Sequence, residues 1–208
     1  MHAADDLRLI ETMRFNGTDI PLLDGHLRRL SRSADHFDVP VSIANVHDRI
    51  RETLRALPSG HAWKVRLTVD ANGVLRVETE PLPPLSGTEA KEPRRLFVSS
   101  VRVDPDNPFR RHKTTRRAVY RRAQREADAA GADEALLLNT RGEITEATWS
   151  NIVVKAGMTY LTPPLSCGVL PGVYRHHLLH TLAVVQEAVL TPETLREADD
   201  VFCCNAVR

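Results

Sequence analysis

Short apolar runs, broken by Gly, Pro, Asn and Asp, divide the chain into its elements. Leu7 to Phe15 reads as a strand, Asn16-Gly17 as a hairpin turn and Ile20 to Leu23 as the returning segment, broken at Asp24-Gly25. The period then lengthens. His26 to Phe37 reads as a helix with Leu27, Leu30, Ala34 and Phe37 on one stripe. Asn45 to Leu57 reads as a second, with Val46, Ile50, Leu54 and Leu57 on its apolar face. Ala62–Val69 and Val74–Glu80 are strands around Asp70-Ala71-Asn72-Gly73, a hairpin signal. Residues 81–93, rich in Pro, Gly and Ser, read as irregular, and Leu96–Val103 as a further strand.

Asp104-Pro105-Asp106-Asn107-Pro108 is the linker signal, so the expected division is a domain over 1–103, a linker over 104–112 and a domain over 113–208. A helix from about Thr114 to Ala130 should end at Gly131. Ala135–Leu138, Glu143–Thr148, Asn151–Val154 and Tyr160–Thr162 then read as an antiparallel meander. A helix over Gly172–Val185, a strand at Glu187–Leu190, a turn or short helix at Pro192–Ala198 and a strand at Asp200–Cys204 complete the chain. The expected class is α+β with largely antiparallel sheets.

Composition narrows the function. With a formal net charge of +1, no global field recruits nucleic acid or a membrane surface. No stretch approaches the ~18 apolar residues of a membrane span, and the first residues carry acids and no apolar signal-peptide core. Three cysteines form no even framework, so a reducing, cytoplasmic compartment is expected. His176, His177 and His180 with Cys203 and Cys204 match no metal-ligand spacing, and no metal is expected.

The meander and the helix after it carry the candidate chemistry. Glu146 lies on an extended run, where it is either an exposed strand carboxylate or a partner for a cationic nitrogen. Leu170-Pro171-Gly172-Val173-Tyr174 opens a helix, either as a plain helix start or as a set of free N–H groups for an anion. A ligand with a protonated nitrogen at one end and a phosphate at the other would fit both. Lys113 stands among Arg110, Arg111, Arg116, Arg117, Arg121, Arg122 and Arg125. That stretch reads as a solvated basic helix, as a nucleic-acid patch, or as the setting of a Schiff-base lysine whose reactive amine neighbouring cations favour.

These blocks, in order, resemble the class IV aminotransferase family of pyridoxal-phosphate enzymes. The likeness runs through Leu9–Arg14 (LIETMR), His26–Phe37, His112–Tyr120 (HKTTRRAVY), Gly131–Ile152, Leu161–Leu165, Gly168–Arg175 and Ala198–Arg208. It implies a two-domain fold like that of D-amino acid aminotransferase, with pyridoxal 5'-phosphate as cofactor, usually in a homodimer, and a small amino-acid-like substrate. It implies that Lys113 forms the Schiff base and shuttles protons, and that Glu146 faces the pyridine nitrogen. It further implies that Arg29 reaches the phosphate, that the N–H groups of Val173 and Tyr174 bind it and that Asn205 also touches it. Asn151 belongs to the motif and supports the loop.

LIETMR and HKTTRRAVY look most like lyase-type members, which release pyruvate and 4-aminobenzoate from 4-amino-4-deoxychorismate in folate synthesis. Branched-chain members typically carry a Tyr five positions after the lysine, where this chain has Ala118. The alternatives are an aminotransferase acting on branched-chain or D-amino acids and, outside enzymes, a nucleic-acid-binding module built on the basic helix.

Overall fold

The computed structural model describes residues 7–83 and 93–207. The chain clusters into two compact units. The first comprises the described parts of Met1–Ala90, His112–Arg116 and Ala206–Arg208, and the second Lys91–Arg111 and Arg117–Asn205. Residues 84–92, most of the stretch expected to be irregular, lie outside the described residues, as do residues 1–6.

In the first unit, β1 (Arg8–Phe15), β2 (Ala62–Asp70) and β3 (Leu75–Leu82) form an antiparallel sheet in that order. The β2–β3 turn is closed by Asp70, whose carboxylate accepts from Asn72 N and Val74 N, while Gly73 takes the positive φ the turn needs. Helices α1 (Leu23–His36) and α2 (Ile43–Arg55) lay Leu30, Ala34, Val46 and Ile50 on Leu9, Met13, Val65, Leu67 and Val69 of the sheet. Both apolar stripes read from the sequence therefore face this core.

The expected hairpin after β1 does not form. Asn16 instead folds the chain locally, its side-chain oxygen accepting from Thr18 N and Asp19 N, and β1 pairs with β2. Ile20 enters the core, Leu22 turns the chain at a φ of 64°, and α1 starts at Leu23, through Asp24-Gly25. Asp24 in its first turn suits the helix dipole, and Gly25 costs little at a helix end.

In the second unit, β4 (Leu96–Val103) runs parallel to β5 (Glu134–Asn139), which pairs antiparallel with β6 (Ile144–Ala147). Helix α3 (Ala118–Ala129) packs Ala123 and Ala127 on Val101, Val103, Ala135 and Leu137. A second sheet has the order β10-β7-β8-β9, from β7 (Asn151–Ala156), β8 (Thr159–Thr162), β9 (Val185–Glu187) and β10 (Asp200–Cys204). Helices α4 (Val173–Thr181) and α5 (Pro192–Arg196) complete this unit.

The expected single meander is thus divided. β6 belongs to one sheet and β7 to the other, with Thr148-Trp149-Ser150 as the crossing and Ala147 N donating to Ser150 O across it. Helix α3 begins four residues later than the pattern suggests, because Thr114 and Thr115 are engaged elsewhere. Helix α4 stops at Thr181, since Leu182 is already extended and the chain enters β9, which runs parallel to β8. The mixed α+β class with mainly antiparallel pairing is as expected.

Candidate active site

Glu146 sits on β6, whose four residues are all buried, and is itself 3% exposed. A carboxylate buried on that scale needs donors. Oε1 accepts from the Tyr120 hydroxyl at 2.6 Å and from Arg110 Nη2 at 3.1 Å. Oε2 accepts from Leu170 N at 3.2 Å and from Asn151 Nδ2 at 3.4 Å. Arg110, 6% exposed, also donates through Nε to Gly168 O at 2.9 Å. Gly168 adopts a φ of 82°, and a Cβ there would meet Pro105 Cα at 2.7 Å.

Tyr120 lies under two guanidinium groups, Arg117 at 4.2 Å and Arg110 at 5.0 Å from its ring centroid. Arg117 also covers the Trp149 ring at 4.8 Å and donates to Thr148 O. Burial and the adjacent Glu146 carboxylate push the Tyr120 phenol well above its ordinary range, so it stays a neutral donor.

The start of α4 is tied to this carboxylate. Asn151 bridges Glu146 and Leu170 O, and Leu170 N returns to Glu146. Gly172, the residue before the helix, packs so closely that a Cβ would lie 1.8 Å from Asn151 Oδ1. No side chain caps this helix and no acid stands in its first turn. The N–H groups of Val173 and Tyr174 therefore open on an end that favours an anion. Val173 is buried and Tyr174 half-buried. Asn205 donates to Trp149 O at 3.2 Å.

Lys113 and Arg29 belong to the first unit. Ile10 N donates to Lys113 O at 2.8 Å, Leu9 bridges Thr114, and Arg8 exchanges bonds with Thr115. Residues 113–115 thus run along β1 as a short added strand, which is why α3 cannot start there. His112 is held from α1, by Ser33 Oγ at 2.9 Å and by stacking on His36 at 4.3 Å. Arg29 is 5% exposed, and its guanidinium grips Glu11 on β1, Nε to Oε1 at 2.8 Å and Nη2 to Oε2.

The second unit thus gathers Glu146, Asn151 and the start of α4, while β1 ties both Lys113 and Arg29 into the first. The partners that hold Glu146, namely Arg110 and Tyr120, and Glu11 behind Arg29, were not singled out from sequence. Among the described residues, no three His, Cys, Asp or Glu side chains gather as a metal site, and no helix is long and apolar enough to cross a membrane.

The family model for amino-transferase class IV matches residues 8–208. A protein provisionally named aminodeoxychorismate lyase, from Schizosaccharomyces pombe, is 27% identical over 98% of this chain and 87% of its own length. The crystal structure of a provisionally named amino-acid aminotransferase from Mesorhizobium loti superposes with a TM-score of 0.88 at 34% identity, covering 98% of this chain and 96% of that one. A branched-chain aminotransferase from Thermoproteus uzoniensis, solved with norvaline, gives a TM-score of 0.84 at 25% identity over 96% of this chain and 74% of its own. The chain belongs to the class IV aminotransferases, a family of pyridoxal-phosphate-dependent enzymes.

Proposed function

We propose that this chain is a 4-amino-4-deoxychorismate lyase, which eliminates pyruvate from its substrate and leaves 4-aminobenzoate. The donor set fits the cofactor. An uncapped helix start without acids suits a phosphate, and a buried, donor-lined carboxylate suits a ring nitrogen. Asn151 ties the two together inside one unit, so both ends of the ligand would be read from one rigid frame.

The roles follow from chemistry. Val173 and Tyr174 N–H groups, Arg29 and Asn205 would hold the phosphate. Glu146 would hold a proton at the ring nitrogen. Lys113 would anchor the cofactor aldehyde until the substrate amine displaces it. When bound, pyridoxal phosphate supplies an electron sink for the carbon that loses its proton. The Lys113 amine would take that proton, and the enolpyruvyl C–O bond would break with its electron pair on oxygen, the enolate leaving and picking up a proton to become pyruvate as the ring becomes aromatic. The expected setting is cytoplasmic, as a homodimer.

One observation carries the lyase reading. Ala118 is exposed at the first residue of α3, and the nearby Tyr120 spends its hydroxyl on Glu146. The tyrosine that branched-chain members typically carry five positions after the lysine has no equivalent at Ala118. The likeness at 34% identity to a provisionally named amino-acid aminotransferase favours a second reading, amino-group transfer. The test is to load the protein with pyridoxal phosphate and fix the visible band by borohydride, with Lys113→Ala as control. Products are then assayed. Equal release of pyruvate and 4-aminobenzoate supports the lyase, and amino transfer to a 2-oxo acid without pyruvate release overturns it.

A further inference from the structure

Glu11 has no part in the reading above, yet it occupies an unusual place. Successive side chains of a strand alternate faces, so Leu9, Glu11, Met13 and Phe15 share one. The three apolar members are buried in the core of the first unit, and Glu11 lies among them at 2% exposure. Its carboxylate meets Arg29 Nε at 2.8 Å, Arg29 Nη2, and His26 Nδ1 at 2.7 Å. His26 and Arg29 are three residues apart on α1, one turn of the same face. Burial alone would raise this carboxyl, but the guanidinium and the imidazole hold it at about 2. A buried ion pair seldom outperforms well-packed apolar residues for stability, so this pair is better explained by what it orients. A two-pronged grip fixes the plane of a guanidinium, which a single contact does not. The neighbouring residue of the same strand, Ile10, holds the Lys113 carbonyl.

We infer that Glu11 is a positioning residue that sets the Arg29 guanidinium for the cofactor phosphate, on the strand that also carries the Lys113 segment. This rests on the reading of Arg29 as a phosphate ligand. Glutamine cannot reproduce the grip, because its amide nitrogen would confront an Arg29 donor. Aspartate keeps the charge but shortens the reach by one methylene.

The test compares pyridoxal phosphate with pyridoxal, which lacks the phosphate, by absorbance titration of wild type, Glu11→Gln, Glu11→Asp and Arg29→Gln. In wild type the phosphate confers a large preference. In the Glu11 variants that preference should shrink by about tenfold, as in Arg29→Gln, while pyridoxal affinity moves less than about twofold. A preference that survives in a folded Glu11 variant overturns the inference, as does an equal loss for both ligands. If Glu11→Gln does not fold, Glu11→Asp decides by the same criterion. A second measurement needs no cofactor, namely the rise in Tm that inorganic phosphate gives the unloaded protein. That rise should be lost in Glu11→Asp and in Arg29→Gln alike, and an undiminished rise in Glu11→Asp overturns the inference. If wild type binds neither pyridoxal compound, the functional reading fails, and the phosphate measurement still judges the Glu11–Arg29 pairing.

Discussion

Tyr120 donates its hydroxyl to Glu146 at 2.6 Å, onto the oxygen that Arg110 also reaches. The phenol is therefore held protonated. Tyr120→Phe keeps the ring between Arg110 and Arg117 but removes one donor from a buried carboxylate, which should cost about 1–3 kcal/mol in urea unfolding. The raised ionisation also has a sign. Above about pH 10 an unfolded tyrosine ionises while the folded Tyr120 does not. Stability from this group is complete below that pH and falls as pH rises. Alkaline unfolding curves should be flatter in Tyr120→Phe than in wild type.

Acid acts on other groups. Burial opposes ionisation of Glu11, but Arg29 and then His26 hold it at about 2, while hydrogen bonds from Arg141 and Asn139 bring Glu143 to about 2. Both are depressed from the ordinary 4.5. Their contribution is present above that value and is lost as pH falls towards about 2. Stability measured between those limits should drop with falling pH, and Glu143→Gln should remove part of the slope without unfolding the protein at neutral pH. An unchanged slope would contradict this assignment.

Gly172→Ala tests the link between the helix start and Glu146. The added carbon would overlap Asn151 Oδ1, so Asn151 must leave its bridge to Leu170. Affinity for pyridoxal phosphate should fall at least about tenfold, with a smaller change in Tm. Gly142→Ala is the contrast. A Cβ at Gly142 meets nothing, although its φ of 81° carries a backbone cost, so stability should drop while cofactor affinity stays.

Burial pushes the Cys167 thiol up to about 11, and burial beside Cys203 pushes Cys204 up to about 12. Thiolate is the reactive form, so neither should be alkylated by iodoacetamide at pH 8 while the protein is folded. Peptide mapping before and after denaturation checks this, and rapid labelling of Cys204 in the native protein would show the strand pairing of β10 to be open.

Much of the element order was legible because it rests on local signals. The β2–β3 turn at Asp70–Gly73, the α1 stripe and the end of α3 before Gly131 each depend on residues within one turn of each other. What failed was non-local. Asn16-Gly17 signals a hairpin, but β1 finds its partner at residues 62–70, and the run from Glu134 to Thr162 is shared between two sheets. Among candidate residues, Lys113, Glu146 and the α4 start were legible from residue type and local setting with alternatives open, and an ordered resemblance chose among those alternatives. Their supports, Arg110 and Tyr120, are contacts 26 to 36 residues away in sequence from Glu146, which no spacing rule reveals. Glu11 did leave a trace, since an acid in phase with Leu9, Met13 and Phe15 falls on the core face of its strand.

The segment bearing Lys113 has a consequence for how the protein is made. Its bond to β1 joins Arg8 to Thr115 across 107 positions. Strand β1 leaves the ribosome long before the residues that will lie along it, and it must keep that edge available until they arrive. Closing so long a loop is slow, and its entropic cost falls late in folding. Until the loop closes, Lys113 lies on an unanchored stretch. Placement of the Lys113 segment and completion of the first unit are then one kinetic event, and a destabilised β1 would delay both together.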